Sequence, residues 1–203
     1  MKMRFWTSDI HLGDDFTLKS DLRPFRDVKH FNNHIVKQWN KQAKKGDVIY
    51  VVGDFIDCDG EGYDNWKKYL PWVKKFKADI VLITGNNEDR VIKYYFNKDF
   101  ESFREYCLKL GFKEVYKNLK LEVCGKTMFL THKPMDCDKN YINLFGHTHA
   151  AGGIYRPFGL NVGCDLFCYR LLSEKDIEHL LNKKSKFWNK DKHLNNLNLD
   201  IKG

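Results

Sequence analysis

Seven side chains of metal-binding types stand just behind apolar segments of this 203-residue chain. The seven are Asp9, His11, Asp54, Asn86, His132, His147 and His149. A lone Asp or His at such a place is usually an ordinary hydrogen-bonded polar residue. The evidence for a shared metal site is that donor residues follow five different predicted strands. Carboxylate, imidazole and amide donors suit Mn²⁺, Fe²⁺, Ni²⁺ or Zn²⁺ better than Ca²⁺ or Mg²⁺. Because no cysteine is among them, the set fits a structural zinc site poorly.

The spacing of these residues favours a shared site. Residues i and i+2 of an extended segment point the same way, so Asp9 with His11, and His147 with His149, can each reach one volume. A glycine precedes Asp54, Asn86 and His147, where it allows a tight turn and leaves room for a ligand.

The elements that must position these side chains follow from hydrophobic periodicity. Strands are predicted at "MRFW", "DVIYVVGDF", "ADIVLIT", "YINLFGHTH" and "GLNVGCD", and "LKLEVCGKTMFLTHKP" is typical of a hairpin turning at Gly125. Helices are predicted over 28–44, over 63–77 with a break at Pro71, and over 99–110. "SEKDIEHLL" opens a terminal helix with a capping box from Ser173 to Asp176. This order predicts an α/β domain with a mixed sheet, whose ligands bind at the carboxyl ends of the strands.

Length and composition limit the remaining possibilities. We expect one domain over 1–182, then a basic Asn/Lys-rich tail over 183–203 that is solvated or adds attraction to polyanions. The chain shows no apolar run long enough for a bilayer and no signal peptide, so we expect a cytoplasmic protein with no membrane partner. The six cysteines are expected to be reduced and mostly buried.

The ordered motifs D-x-H, G-D, G-N, a lone H and G-H-x-H resemble those of the calcineurin-like metallophosphoesterases. The resemblance runs from Asp9 to His149, and "RPF", "WN" and "NVGCD…YR" are similar to a bacterial and phage subgroup of small, single-domain members. It implies a four-layer αββα sandwich of two mixed sheets flanked by helices. It also implies two divalent cations, with Mn²⁺ favoured over Fe, Ni²⁺ or Zn²⁺. Asp9, His11, Asp54 and His149 would hold the first cation, and Asp54, Asn86, His132 and His147 the second.

The activity implied by the resemblance is hydrolysis of phosphoesters by a metal-bridging hydroxide, with Asp54, Asn86, Asn87 and His147 as the catalytic residues. The negative charges of Asp9, Asp54 and the hydroxide would only partly neutralise the two divalent cations. The cavity would therefore stay positive and attract a phosphodiester. Nucleotides and nucleic-acid ends both remain open as substrates.

Asn87 departs from the family pattern. The usual motif there is G-N-H-[DE], whose histidine contacts the phosphate and protonates the leaving group. An amide can donate a hydrogen bond to a phosphoryl oxygen, but it is no general acid near neutral pH. We therefore expect a phosphodiesterase that prefers stable leaving groups, rather than a monoesterase.

Other residues have two interpretations each. Asp57 and Glu88 either orient ligating histidines or serve as turn and cap residues. Arg23 and Arg90 either meet substrate phosphate or are solvated. His30 and His34 have helical i, i+4 spacing but lack the glutamate of H-E-x-x-H.

Two alternative functions stay open. Some members of the family are non-catalytic interaction modules, typically with eroded metal ligands, whereas all seven are present here. A mononuclear enzyme would leave two of the histidines unexplained.

Overall fold

The computed structural model describes residues 2–57 and 63–190, and within them it has two five-stranded sheets and six α-helices. The strands are β1 (Arg4–Thr7), β2 (Val48–Val52), β3 (Asp79–Ile83), β4 (Glu114–Tyr116), β5 (Leu119–Val123), β6 (Lys126–Leu130), β7 (Ile142–Phe145), β8 (Tyr155–Arg156), β9 (Gly159–Asn161) and β10 (Leu172–Ser173). The helices are α1 (Asp15–Ser20), α2 (Val28–Gln42), α3 (Tyr63–Tyr69), α4 (Asn86–Tyr95), α5 (Phe100–Leu110) and α6 (Glu174–Lys190).

The first sheet has the order β10-β1-β2-β3-β4, and all its pairs are parallel except β1 with β10. Strand β2, with the sequence VIYVV, is apolar along its whole length, as expected of a parallel strand covered on both faces. The parallel arrangement brings the carboxyl ends of β1, β2 and β3 to one edge.

The second sheet has the order β5-β6-β7-β9-β8 and mixes parallel with antiparallel pairs. Strands β5 and β6 form the expected hairpin, with Gly125 at a φ of 69° in its turn. Strands β6 and β7 run parallel, so their carboxyl ends also lie together.

Apolar packing forms two clusters. One joins the first sheet to helices α2, α3 and α5 and is centred on large buried side chains such as Trp39, Trp66 and Phe103. The other fills the space between the sheets, where Trp6 and Val52 meet Met128 and Leu144. Helix α6 joins this second cluster through Ile177.

The predicted fold of two mixed sheets flanked by helices is confirmed. The break at Pro71 is also found, because α3 ends at Tyr69 and a 3₁₀ segment, Leu70–Lys75, follows. The Ser173–Asp176 capping box forms, with the Asp176 amide donating to Ser173 Oγ at 3.3 Å and the Ser173 amide to Asp176 Oδ2 at 2.8 Å. Sequence periodicity missed α1, α4 and the short strands β4, β8 and β10, since each is too brief or too polar to give a periodic signal.

Helix α6 continues to Lys190, past the proposed start of the tail at residue 183, and residues 191–203 lie outside the described part. The division of the chain at 182 therefore stays a prediction. Among the helices that the structure describes, none has the length and apolar character needed to cross a bilayer. The five cysteines in the described part have free thiols, of which Cys107 and Cys164 are buried and Cys168 is exposed. The expectation of mostly buried thiols therefore holds only in part.

Candidate metal centre

The seven predicted donor residues meet where the carboxyl ends of five strands from both sheets converge. Asp9 and His11 follow β1, Asp54 follows β2, and Asn86 follows β3. From the second sheet, His132 follows β6, while His147 and His149 follow β7.

Asp54 lies at the middle of this group. Its Oδ2 atom is 3.6 Å from His11 Nε2 and 3.4 Å from His132 Nε2. Its other oxygen accepts a hydrogen bond of 3.0 Å from the backbone amide of Asn87, which fixes the carboxylate plane. One carboxylate oxygen therefore faces imidazoles from both sheets.

The other donors fall on two sides of Asp54. On one side, Asp9 Oδ1 is 3.7 Å from His149 Nε2, and the His149 ring lies 5.0 Å from that of His11. On the other side, Asn86 Oδ1 is 2.8 Å from His147 Nδ1 and 3.1 Å from His132 Nε2. Asp9 Oδ1 also lies 3.9 Å from His132 Nε2. Two compact donor groups result: Asp9, His11 and His149 in one, Asp9, Asp54 and His132 in the other.

This donor set fits divalent cations. His11 Nε2 is buried and has no hydrogen-bond partner, although it faces two carboxylates. Separations of 3.4–3.9 Å between carboxylate oxygens and imidazole nitrogens are long for hydrogen bonds, but they suit ligands that each lie about 2 Å from a common ion.

The charges of the site also favour a cation. Burial lowers the pKa of His11, so this imidazole is neutral and able to ligate. Burial acts the same way on His132, but the nearby carboxylates of Asp54 and Asp9 outweigh it and raise the pKa of His132 to about 10. Asp9 and Asp54 therefore stabilise a positive charge on His132, at the place where a cation would bind.

The backbone around the site is unusual. Asp9, His11, Asp54, His147 and His149 all have positive φ, between 45° and 71°. Such residues cost on the order of 1–3 kcal/mol each and concentrate at functional sites. The expectation that Asp9 with His11, and His147 with His149, share a volume through extended spacing is therefore wrong in its mechanism. Left-handed turns after the strands aim these side chains, and they send His147 and His149 to different sides of Asp54.

The glycines before Asp54, Asn86 and His147 are required because a side chain from another loop lies very close to each of them. A Cβ on Gly53 would overlap the His132 ring, one on Gly85 would overlap Asp54, and one on Gly146 would overlap Asp9. Each glycine thus allows one strand-end loop to pass directly under a donor of another loop, a role beyond the predicted tight turn and room for a ligand.

For three of the four histidine rings, the nitrogen that faces away from the donor group has its own partner. His132 Nδ1 lies 2.9 Å from the carbonyl oxygen of Val52. His149 Nδ1 is in short contact with Asp21 Oδ2, at the end of α1. His11 Nδ1 is 3.6 Å from Asp14 Oδ2 and 3.3 Å from Asn87 Nδ2. Such partners fix ring orientation in metal sites, and no sequence pattern pointed to Asp14 or Asp21.

Asn87 is 1% exposed, and its side chain is held by protein groups. Its Nδ2 donates to the Ile56 carbonyl at 3.2 Å. The amide still borders the cavity above the donors, so contact with a substrate stays a prediction.

Glu88 is fully buried and orients loops rather than a histidine. It accepts hydrogen bonds from the backbone amides of Asp54, Phe55 and Gly85 at 2.8–3.1 Å. Burial, with the charge of Asp54, raises the pKa of Glu88 to about 7. The bond to Gly85 closes the first turn of α4, so a glutamate three residues after Gly85 was the signal for this missed helix. Asp57 is buried too and lies with Asp14 beside His11.

Arg23 is buried and bonds to the backbone rather than facing a substrate. Its Nη1 donates to Ile10 O at 2.7 Å, and its Nη2 to Asp9 O at 2.8 Å and Asp165 Oδ2 at 2.9 Å. The guanidinium also lies 6.0 Å from the Tyr169 ring. Arg23 of "RPF" therefore contacts Asp165 and Tyr169 of "NVGCD…YR" behind the Asp9 loop, which joins the two segments of separate sequence similarity.

The remaining candidates lie elsewhere. His30 and His34 pack around the Phe25 ring, with centroid distances of 5.5 and 4.9 Å, and do not join the donor group. Arg90 is exposed on α4.

Three known proteins are similar to this chain in sequence or in structure. The uncharacterised protein MJ1445 of Methanocaldococcus jannaschii is 29% identical over 195 residues, which cover 90% of this chain and 93% of that protein. The crystal structure of AQ665, a protein of unknown function from Aquifex aeolicus, matches with a TM-score of 0.60 at 24% identity, covering 89% of this chain and all of its own, and supports the fold. YfcE, a phosphoesterase from E. coli, is more distant, with a TM-score of 0.37 and 17% identity over 79% of this chain and 78% of its own.

A family model described as calcineurin-like phosphoesterase matches residues 5–194, nearly the whole chain. That span contains all seven donor residues of the convergent strand ends and both sheets except Arg4, the first residue of β1. The family is one of phosphoester hydrolases, and its members typically bind divalent metal ions. The chain therefore belongs to the calcineurin-like phosphoesterase family.

Proposed function

We propose that this protein is a phosphodiesterase with a centre of two divalent cations, Mn²⁺ being favoured, that acts on nucleotides or nucleic-acid ends. The observation that carries the proposal is the position of Asp54, whose Oδ2 faces His11 at 3.6 Å and His132 at 3.4 Å. An oxygen so placed can serve as a ligand shared by two ions.

The proposed ligand sets divide at Asp54, whose Oδ2 faces His11 and His132, although Asp9 belongs to both compact donor groups. Asp9, His11, Asp54 and His149 would hold one cation, and Asp54, Asn86, His132 and His147 would hold the other. The close approach of the rings within each set supports this division: the centroids of His11 and His149 lie 5.0 Å apart, and those of His132 and His147 lie 5.2 Å apart. When bound, the two ions would lower the pKa of a water and offset the charge of the phosphoester.

The chain's own groups favour a diester over a monoester. Near neutral pH an amide does not supply a proton to a leaving oxygen, and the Asn87 nitrogen already donates to Ile56. A leaving group must then depart as a stable anion, as phenolates do. His147 is exposed in the cavity and stands where it can contact the phosphate while its Nδ1 faces Asn86.

The test is metal-depleted protein refilled singly with Mn²⁺, Ni²⁺, Zn²⁺ or Mg²⁺ and assayed on p-nitrophenyl phosphate and bis(p-nitrophenyl) phosphate. We expect faster hydrolysis of the diester and loss of turnover in Asp54→Ala. Asn87→His should shift the ratio toward the monoester. Equal or faster monoester hydrolysis by the unsubstituted protein contradicts the diester preference. No turnover with any metal would instead favour a non-catalytic interaction module.

The cytoplasmic location stays a prediction from the sequence, and so does the contribution of the basic tail to substrate binding.

A further inference from the structure

A cavity of about 550 Å³ opens beside the metal-ligand candidates, and part of its lining is apolar. His11, Asp54, His147 and His149 border it. So do four exposed apolar side chains, which we name the apolar rim: Phe16, Leu22, Ala150 and Ala151. The cavity thus combines a site for a phosphoester with a surface for an apolar group.

Two members of the apolar rim are exposed to an unusual degree. Phe16 is 73% exposed and Leu22 is 86% exposed. Leu22 also has a φ of 52°, in the left-handed region that a bulky side chain rarely adopts. Exposed apolar patches rimmed by polar residues mark ligand-binding grooves, and Phe16 and Leu22 line one cavity together with polar residues of the candidate metal centre.

The charged residues around the cavity are not those expected of a groove that binds nucleic acid. Among its described lining residues there is neither lysine nor arginine, although a polynucleotide needs such cations on its neighbouring phosphates. Lys117 and Lys133 border a separate, smaller cavity on the His132 side, where they share the lining with Asp89 and Asp136. Lys133 lies 4.0 Å from Asp89, so its charge is partly offset.

From these observations we infer that the apolar rim is a subsite for a planar aromatic group of the substrate, a nucleobase above all, next to a single phosphodiester. The inference rests on the phosphodiesterase proposed above and narrows its substrate class to small diesters rather than polynucleotide strands. Phe16 offers a ring face for stacking, and stacking of a base on an aromatic side chain is tolerant of base identity.

Two diesters with the same leaving group test the subsite. Bis(p-nitrophenyl) phosphate and methyl p-nitrophenyl phosphate both release p-nitrophenolate but differ in the group that stays. Phe16→Ala should lower kcat/KM for the bis-aryl diester roughly tenfold, as loss of one stacked ring does, and leave the methyl diester within about twofold. Leu22→Asn should act in the same direction, because asparagine tolerates the left-handed backbone. Tyr94→Ala, which removes an exposed ring on α4 outside the cavity lining, is the matched control and should change neither.

A binding measurement separates this inference from the proposed activity. By calorimetry, adenosine 5′-monophosphate should bind the unsubstituted protein roughly tenfold more tightly than methyl phosphate, and Phe16→Ala should remove the difference. That result without diester turnover would overturn the phosphodiesterase and keep the subsite. Equal affinities for the two ligands, or an equal loss for both in Phe16→Ala, overturns the subsite. A polynucleotide site is shown instead if Lys117→Ala and Lys133→Ala slow hydrolysis of an oligonucleotide in a salt-dependent way and Phe16→Ala does not.

Discussion

Arg23 donates a hydrogen bond of 2.8 Å from Nη2 to the backbone carbonyl of Asp9. Asp9 itself has a φ of 58°, so a buried arginine holds a strained residue of the candidate metal centre in place. The same guanidinium is paired with Asp165, and both side chains are nearly inaccessible to solvent. The Asp9 loop is therefore stabilised from behind by residues that never reach the cavity.

Arg23→Ala should lower the free energy of unfolding by about 3–5 kcal/mol, because it leaves Asp165 buried without its partner and two backbone carbonyls without donors. Urea denaturation of the metal-free protein measures the loss. Arg26→Ala is the matched control, since Arg26 is mostly exposed and its pair with Asp27 is worth at most about 1 kcal/mol. An equal change in the two variants would contradict the proposed role of Arg23.

Gly53→Ala should be much more costly than Gly46→Ala. Both glycines have strongly positive φ, 87° and 94°, so both substitutions carry similar backbone strain. Only at Gly53 does the new Cβ overlap a neighbour, the ring of His132, whereas Gly46 has nothing within 4 Å. We expect Gly53→Ala to lose roughly 2 kcal/mol more on unfolding, the cost of such overpacking, and to bind Mn²⁺ more weakly. Equal losses would mean that close approach to His132 does not matter.

Asp21→Asn should weaken Mn²⁺ binding roughly 10- to 100-fold while leaving the unfolding free energy of the metal-free protein little changed. The reason is that the Asp21 carboxylate contacts His149 Nδ1 and orients the ring toward Asp9. Titration of Mn²⁺ followed by calorimetry gives the affinity. Asp15→Asn, an exposed acid of the same helix, is the control and should bind Mn²⁺ like the unsubstituted protein. Unchanged affinity in Asp21→Asn would show that His149 needs no such partner.

The sequence was most informative where local pattern decides structure. Apolar runs ending in Asp54 and Asn86 located the strand ends, and Pro71 located a helix end. The glycine before Asp54 was expected to allow a tight turn, and Gly53 has a φ of 87°, but its close approach to the His132 ring was not predicted.

Contacts between segments that lie far apart along the chain could not be predicted from the sequence. The pairing of Arg23 with Asp165 spans 142 residues, and no local pattern distinguishes a buried arginine from a solvated one. The left-handed backbone at Asp9 and His147 was equally hidden, since these residue types adopt it only when the surroundings impose it. No pattern in the sequence pointed to Phe16, because the short helix α1 has too few residues for a periodic signal.

The number of Mn²⁺ ions bound per chain, measured by equilibrium dialysis of metal-depleted protein, tests the central claim most directly. We predict two ions for the unsubstituted protein and at most one, bound more weakly, for Asp54→Asn, because Asp54 Oδ2 faces the donors of both groups. Asp79→Asn, at the opposite end of β3, should still bind two. Binding of no ion by the unsubstituted protein, or two ions bound with unchanged affinity by Asp54→Asn, would contradict the shared-ligand centre.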